Sequence, residues 1–263
     1  MSRTIEKLSG LVVVTGGSSG IGLELAKRAA RDGCDLLLVA RNPMPEAVAE
    51  VTAAGAASVE TVEGDLATRD GIVALLQAVG DRPVAALFAN AGAGEGGLFL
   101  DQQWHQIAQT LHTNITGTVA LVYNIGRKMQ ERGAGRILVT GSIAGHIPGP
   151  FNLVYNSTKA FIDDFCIGLA NEVKDSGVTV TCLLPGATGT AFFERAEMED
   201  TKLAKAPKAD PAKVAQDGYN AMLKGESHVV SGFMNKVQDT FAGLLPDDLL
   251  AQMHRKLARP DGS

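Results

Sequence analysis

Leu11-Val12-Val13-Val14-Thr15-Gly16-Gly17-Ser18-Ser19-Gly20-Ile21-Gly22 is the stretch whose reading decides the fold. Four apolar residues in a row read as a strand buried on both faces, the form strands take in a parallel sheet. Glycines at 16, 20 and 22 allow a tight turn, the close approach of a pyrophosphate and the packing of a helix on the strand. Ile21, Leu25, Ala26 and Ala29 then recur at helical spacing, so the turn presents free backbone N–H groups and a positive dipole end to a phosphate. A glycine-rich loop alone says little, but the strand before it and the helix after it mark a dinucleotide site. Gly16, Ser18, Ser19, Gly20, Ile21 and Gly22 are its candidate contacts.

Outward from that turn, strand and helix alternate without internal repeats. Apolar runs at 11–14, 35–40, 58–62, 84–89, 136–140 and 178–184 predict strands, with a last one near 228–231. Helical patterns at 20–32, 46–54, 69–79, 101–130, 153–175 and 211–223 fall between or after them, and Asp210-Pro211 supplies an N-cap and a first-turn proline to the last. The expected fold is α/β: a single-domain, Rossmann-like, doubly wound parallel sheet over 1–263, with helices on both faces and ligands beyond the carboxyl ends of the strands. Residues 187–209 mix acids with lysines and are expected to form a solvated substrate lid, and 233–263 a C-terminal extension. Apolar spacing at Leu249, Leu250, Met253 and Leu257 predicts a helix there, packed on the body or on a partner subunit.

Composition narrows the class. The chain has 263 residues, 45% of them hydrophobic, enough to cover both faces of one sheet. A net charge of −5 gives no footprint for nucleic acid, and no apolar run approaches the ~20 residues of a membrane helix. Cys34, Cys166 and Cys182 have neither metal nor disulfide spacing, and the first residues lack the apolar core of a secretory signal. A soluble cytoplasmic protein is expected. The sequons at Asn114 and Asn156 are read as accidents, His146 as a loop residue, and no metal site is expected among the five histidines.

A second constellation carries chemistry. On a helix, Tyr155 and Lys159 emerge from one face, because four residues advance by a little over one turn. An ammonium beside a phenol favours the phenolate and lowers its pKa, turning Tyr155 into a proton shuttle. Ser142 lies thirteen residues upstream and offers a hydroxyl for a carbonyl oxygen. The Tyr-x-x-x-Lys pattern is weak by itself and gains weight from its company.

That company resembles the short-chain dehydrogenase/reductase family in its classical branch. The resemblance runs along nearly the whole chain: Thr15 to Gly22, Asp65, Asn90-Ala91-Gly92, Asn114, Ser142, Tyr155 with Lys159, and Pro185-Gly186 with Thr190. It implies a hydride transfer between a nicotinamide and a carbonyl or alcohol, with Ser142 holding the oxygen and Tyr155 giving the proton. Lys159 would also grip the nicotinamide ribose, and the main chain of Asn114 would hold a water joining Lys159 to solvent. Asp65 would contact adenine, Asn90, Ala91 and Gly92 would border the cofactor, and Thr190, after Pro185-Gly186, would bond the carboxamide. Asn is a mediocre residue for a helix interior, which hints at a kink near 114. The second strand ends in Ala40-Arg41 rather than in an acid, so NADP(H) is favoured over NAD(H): a guanidinium binds a 2′-phosphate that a carboxylate would repel.

The substrate is less legible. Ile143 to Phe151 and Ala191-Phe192-Phe193 are largely apolar, favouring an apolar ketone or secondary alcohol. A 3-oxoacyl-carrier-protein reductase is the alternative, with Arg127, Lys128 and Arg132 as a basic docking patch, and a non-catalytic nucleotide sensor is another. The family resemblance implies a homodimer or homotetramer paired through the helices at 101–130 and 153–175.

Overall fold

Strand β1 (Leu11–Thr15) sits in the middle of the sheet, with β2 (Asp35–Ala40) on one side and β4 (Val84–Ala89) on the other. In this computed structural model, which describes residues 4–232, 235 and 245–260, the sheet continues outward through β3 (Ser58–Glu63), β5 (Gly135–Thr140), β6 (Val178–Leu184) and β7 (His228–Val230). The order is β3-β2-β1-β4-β5-β6-β7 and every pairing is parallel. The chain reverses direction across the sheet between β1 and β4, which opens a crevice beyond their carboxyl ends.

Alternation along the strands divides the core in two. Val13, Leu37, Leu87 and Ile137 face α3 (Arg69–Val79), α5 (Thr118–Arg132) and α6 (Leu153–Glu172), whose Leu75, Ile125 and Ile162 are buried against them. Val12, Val14, Leu36, Leu38 and Phe88 face α1 (Gly20–Arg31), α2 (Pro45–Ala53) and α9 (Pro211–Lys224), where Leu25, Val51 and Met222 close the second layer. Full burial of one such aliphatic side chain is worth about 1.5–3 kcal/mol, so β1, wholly buried, anchors both layers. The expected Asp210 cap is present: its carboxylate accepts from the Ala212 amide at 2.9 Å, with Pro211 in the first turn.

Three expectations need correction. The helix expected over 101–130 is broken into α4 (Trp104–Leu111), a π-helical turn over His112–Gly117 and α5. Asn114 lies within that turn, because its amide bonds outside the helix. Segment 187–209 is not merely solvated: it forms the short helices α7 (Phe192–Arg195) and α8 (Lys202–Lys205), and Phe193, Ala196, Met198 and Ala204 bury a small core of their own. The tail helix is real, α10 (Asp247–Ala258), but its buried face is Leu250, His254 and Ala258, while Leu249, Met253 and Leu257 point outward. Ala258 completes the small core of segment 187–209, and that contact selects the face. Phe233, Met234 and Leu244 of the expected extension lie outside the described residues.

Candidate active site

The glycine turn follows β1 directly. Gly16 and Gly20 have φ of +65° and +57°, a backbone region that disfavours side chains. At Gly22 a Cβ would collide with the Gly16 carbonyl oxygen, so only glycine lets α1 pack this close to the turn. Ser19 caps α1 by position, yet its side chain makes no capping bond and the first helical turn carries no acid. The helix therefore presents uncapped amides and a positive end to the crevice, the arrangement that suits a pyrophosphate. Residues of this kind fit a dinucleotide.

Around the turn, the expected contacts gather. Asn90 donates from its backbone to Thr15 Oγ1 at 3.0 Å and accepts from Thr140 Oγ1 at 3.0 Å, so Asn90-Ala91-Gly92 ties β1, β4 and β5 together at the crevice floor. Thr190 stands across the mouth, its methyl 2.8 Å from where a Cβ on Gly20 would be, and its hydroxyl accepts from the Phe192 amide at 3.3 Å. Pro185 accepts from the Ile143 amide at 3.1 Å, which joins the Pro185-Gly186 turn to the loop after Ser142. Arg41 is exposed just past the end of β2. Asp65 is more engaged than expected: it accepts from the Ala67 amide at 2.9 Å and from Gln109 Nε2 at 3.1 and 3.0 Å. It does not cap α3, since Thr68 does, accepting from the Gly71 amide at 3.1 Å.

Tyr155, Lys159 and Asn114 meet where α6 passes the π-helical turn. Asn114 accepts from the Ala93 amide and donates to the Ala93 carbonyl, both at 2.8 Å, and donates to Thr158 Oγ1 at 2.9 Å. It is buried, as is Asn156, so neither sequon is open to a glycan. Lys159, also buried, donates to the Thr140 carbonyl at 2.6 Å, and its Nζ lies 5.7 Å from the centre of the Tyr155 ring. Ser142 hydrogen-bonds the Tyr155 phenol, and its Oγ accepts from the Ala144 amide at 3.1 Å.

Burial weighs on both titratable groups of the site. Against the downward pull expected of Lys159, burial pushes the Tyr155 phenol up to about 12, opposed by the Ser142 hydrogen bond and reinforced by the Asp163 charge. Tyr155 as a whole is half-buried, and it is the desolvated phenol end that titrates. Burial also lowers Lys159 below the usual ammonium range, with Asp163 acting against it. Each group is biased toward its neutral form, because a charge without water is costly.

One residue of the site escaped the sequence reading and another was read only as a loop residue. Asp163 is 2% exposed, one turn beyond Lys159 on α6, and its Oδ1 accepts from Cys182 Sγ at 3.4 Å. His146 is more than a loop residue, since its Nε2 stands 3.6 Å from Asp163 Oδ2. The i,i+4 spacing that pairs Tyr155 with Lys159, extended by one turn, is the signal that reaches Asp163. The proposed docking patch is engaged elsewhere: Lys128 donates to the Gly80 carbonyl at 2.7 Å, Arg132 to the Val84 carbonyl at 2.7 Å, and Arg127 pairs with Glu131 at 3.4 Å. Among the described residues no cluster suited to a metal exists, and no helix is long and apolar enough to cross a membrane.

A doubly wound sheet with a glycine turn and a serine, tyrosine and lysine at its mouth defines a dinucleotide-dependent oxidoreductase class. The chain belongs to the short-chain dehydrogenase family, whose model, described as short chain dehydrogenase, matches residues 10–201. It is 34% identical to human 17-beta-hydroxysteroid dehydrogenase type 1 over 203 residues, 74% of this chain and 60% of that protein, so it spans about three fifths of that relative's length. An uncharacterized oxidoreductase of Myxococcus xanthus is 27% identical over 252 residues, 93% of this chain and 96% of that one. A short-chain dehydrogenase from Sphingobium yanoikuyae, solved in complex with NADPH, matches with a TM-score of 0.79 at 27% identity, covering 89% of this chain and 94% of that one.

Proposed function

We propose that this protein is an NADP(H)-dependent oxidoreductase that interconverts a ketone and a secondary alcohol on a largely apolar substrate. The observation that carries this reading is the Tyr155 phenol hydrogen-bonded to Ser142 beside Lys159, at the mouth of the glycine-turn crevice. When bound, the nicotinamide supplies or takes the hydride. The protein supplies the rest. Ser142 holds the carbonyl oxygen, and Tyr155 gives its proton as negative charge grows there. A phenol with a raised pKa is fully protonated at neutral pH, which is the state a donor needs. Lys159 steadies the developing phenolate, and Asn114 holds the π-helical turn beside it. Gly16, Ser18, Ser19, Gly20, Ile21 and Gly22 receive the pyrophosphate, and Arg41 the 2′-phosphate. Asp65, Asn90, Ala91, Gly92, Pro185, Gly186 and Thr190 complete the contacts to the cofactor.

Apolar character at the reacting end supports the substrate class. Phe192, from segment 187–209, sets its ring centre 4.8 Å from that of Tyr155, and Gly94 leaves room for that contact. This segment is the lid in our reading. Similarity to the human hydroxysteroid dehydrogenase puts rigid apolar alcohols first in a substrate panel. A groove lined by Phe99, Trp104, Leu153 and Phe161 between α4 and α6 supports a homodimer paired through these helices.

The test is a panel of apolar ketones and alcohols, sugars and carrier-bound 3-oxoacyl substrates, followed by nicotinamide absorbance with both cofactors. Tyr155→Phe is expected to abolish turnover and leave NADPH affinity nearly intact; substantial residual reduction would show that another acid operates. Arg41→Asp is expected to reverse the cofactor preference, and an unchanged ratio of kcat/KM on NADPH and NADH removes that assignment.

A further inference from the structure

The loop that carries Ser142 is folded around a carboxylate. At Gly141 a Cβ would collide with Asp163 Oδ1, and at Gly145 with Asp163 Oδ2 and with the α6 backbone at Lys159 and Ala160, so glycine at both positions lets the loop lie against this side chain and its helix. The Ser142 amide lies against the same group, where it favours the charged form. Lys159, one turn earlier on α6, reaches the Thr140 carbonyl at the start of the loop. Asp163 Oδ2 accepts no hydrogen bond among the described residues, although it is deeply buried. An anion kept in such a place needs compensation from its surroundings.

We propose that Asp163 is a positioning residue of the active site: its carboxylate is the fixed anion around which the Ser142 loop closes and against which the Lys159 ammonium is set. This rests on the reading of Ser142, Tyr155 and Lys159 as the reacting group. Among the described residues, the titratable groups that act with Asp163 are Lys159 on its own helix, His146 from the loop, Cys182 from β6, and Tyr155 through its field. Burial pushes the carboxyl up to about 6, while Lys159, Cys182, His146 and the Ser142 amide hold it down. It is ionised at neutral pH. There it supports the Lys159 charge and makes the Tyr155 proton harder to remove.

The experiment follows the Tyr155 phenolate by ultraviolet absorbance, without cofactor or substrate, so that it reads the charge whatever the activity proves to be. Subtracting Tyr155→Phe from the wild type, and the double variant from Asp163→Asn, isolates this one phenol. Asp163→Asn is expected to move its ionisation down by about half a pH unit or more. An unmoved or raised midpoint overturns the proposal. A second measurement uses the wild type, so it does not depend on a variant folding. Hydrogen exchange over residues 141–145, corrected for intrinsic rates, is expected to gain protection as pH falls through about 6, because the closed loop holds the Asp163 proton more tightly than an open one. Equal protection above and below that value overturns the proposal. Failure of the substrate panel with both of these results intact would sink the assigned activity and leave the positioning role standing.

Discussion

In the proposed reaction Tyr155 must keep its proton until the carbonyl oxygen arrives, and burial favours that protonated state. With the phenol near 12, carbonyl reduction is expected to hold a constant kcat/KM between about pH 7 and 9, while alcohol oxidation, which needs the phenolate, rises steadily with pH. A reduction rate that already declines over that range would place the acid elsewhere. Asp163 sets a stability term of the opposite kind to most carboxylates. Its folded pKa of about 6 lies above the unfolded value of 3.8, so its contribution is fully present below the unfolded value and is lost as pH rises through 6. Asp163→Asn should therefore gain on the wild type by up to about 3 kcal/mol between about pH 4 and 7, read from paired denaturant titrations. Parallel curves would mean that the carboxyl titrates normally. From sequence, Tyr155, Lys159 and Ser142 were legible because their types and spacing imply contact. Asp163 was not, because an acid on a helix is usually solvated, and only the closing of Gly141 and Gly145 over it removes the water.

At the level of elements, the strands were legible almost to the residue, since burial on both faces demands unbroken apolar runs and admits little else. β3 is the exception in character, an edge strand with four of its six positions exposed, yet its pattern still sufficed. Helix continuity was harder. The periodicity over 101–130 runs on through the π-helical turn, because one extra residue shifts the apolar face only slightly and leaves no compositional mark. Asn114 was the one hint, and the structure gives its cause: the side chain is spent on Ala93 and Thr158. Asn114→Ala leaves these buried groups unsatisfied, at a cost of about 1–3 kcal/mol in stability. Turnover should fall with it while Asn114→Asp, which keeps an acceptor for the Ala93 amide, loses less; equal losses would mean that this acceptor is not what the position supplies. The tail helix was found, but its face was misjudged by one residue, since Leu249, Met253 and Leu257 repeat at the same spacing as Leu250, His254 and Ala258. Only the contact with segment 187–209 distinguishes them. His254 reinforces it, with Nδ1 3.0 Å from the Pro150 carbonyl oxygen.

For the whole molecule, the central strands of the sheet are buried on both faces, and one part of the exposed apolar surface gathers on α4, α6 and the turn before α4. Trp104 is 71% exposed and Phe161 43% exposed, and both line the groove that also holds Phe99 and Leu153. Aromatic side chains in such numbers are worth more against a partner than in water, and a stable pair needs about 800 Å² from each subunit. Two copies meeting through this groove would cover the aromatics while leaving the crevice mouth to α1 and segment 187–209. Trp104→Glu combined with Phe161→Glu places two carboxylates where each copy would desolvate them. Light scattering at micromolar concentration is expected to show a dimer or tetramer for the wild type and a smaller species for the double variant, with Asp163, Tyr155 and Lys159 untouched. If association costs rise by even 3 kcal/mol, Kd weakens by more than about a hundredfold, which such a measurement resolves. A wild type that is already monomeric would assign this groove to some other occupant, and an unchanged mass for the variant would move the interface to another face.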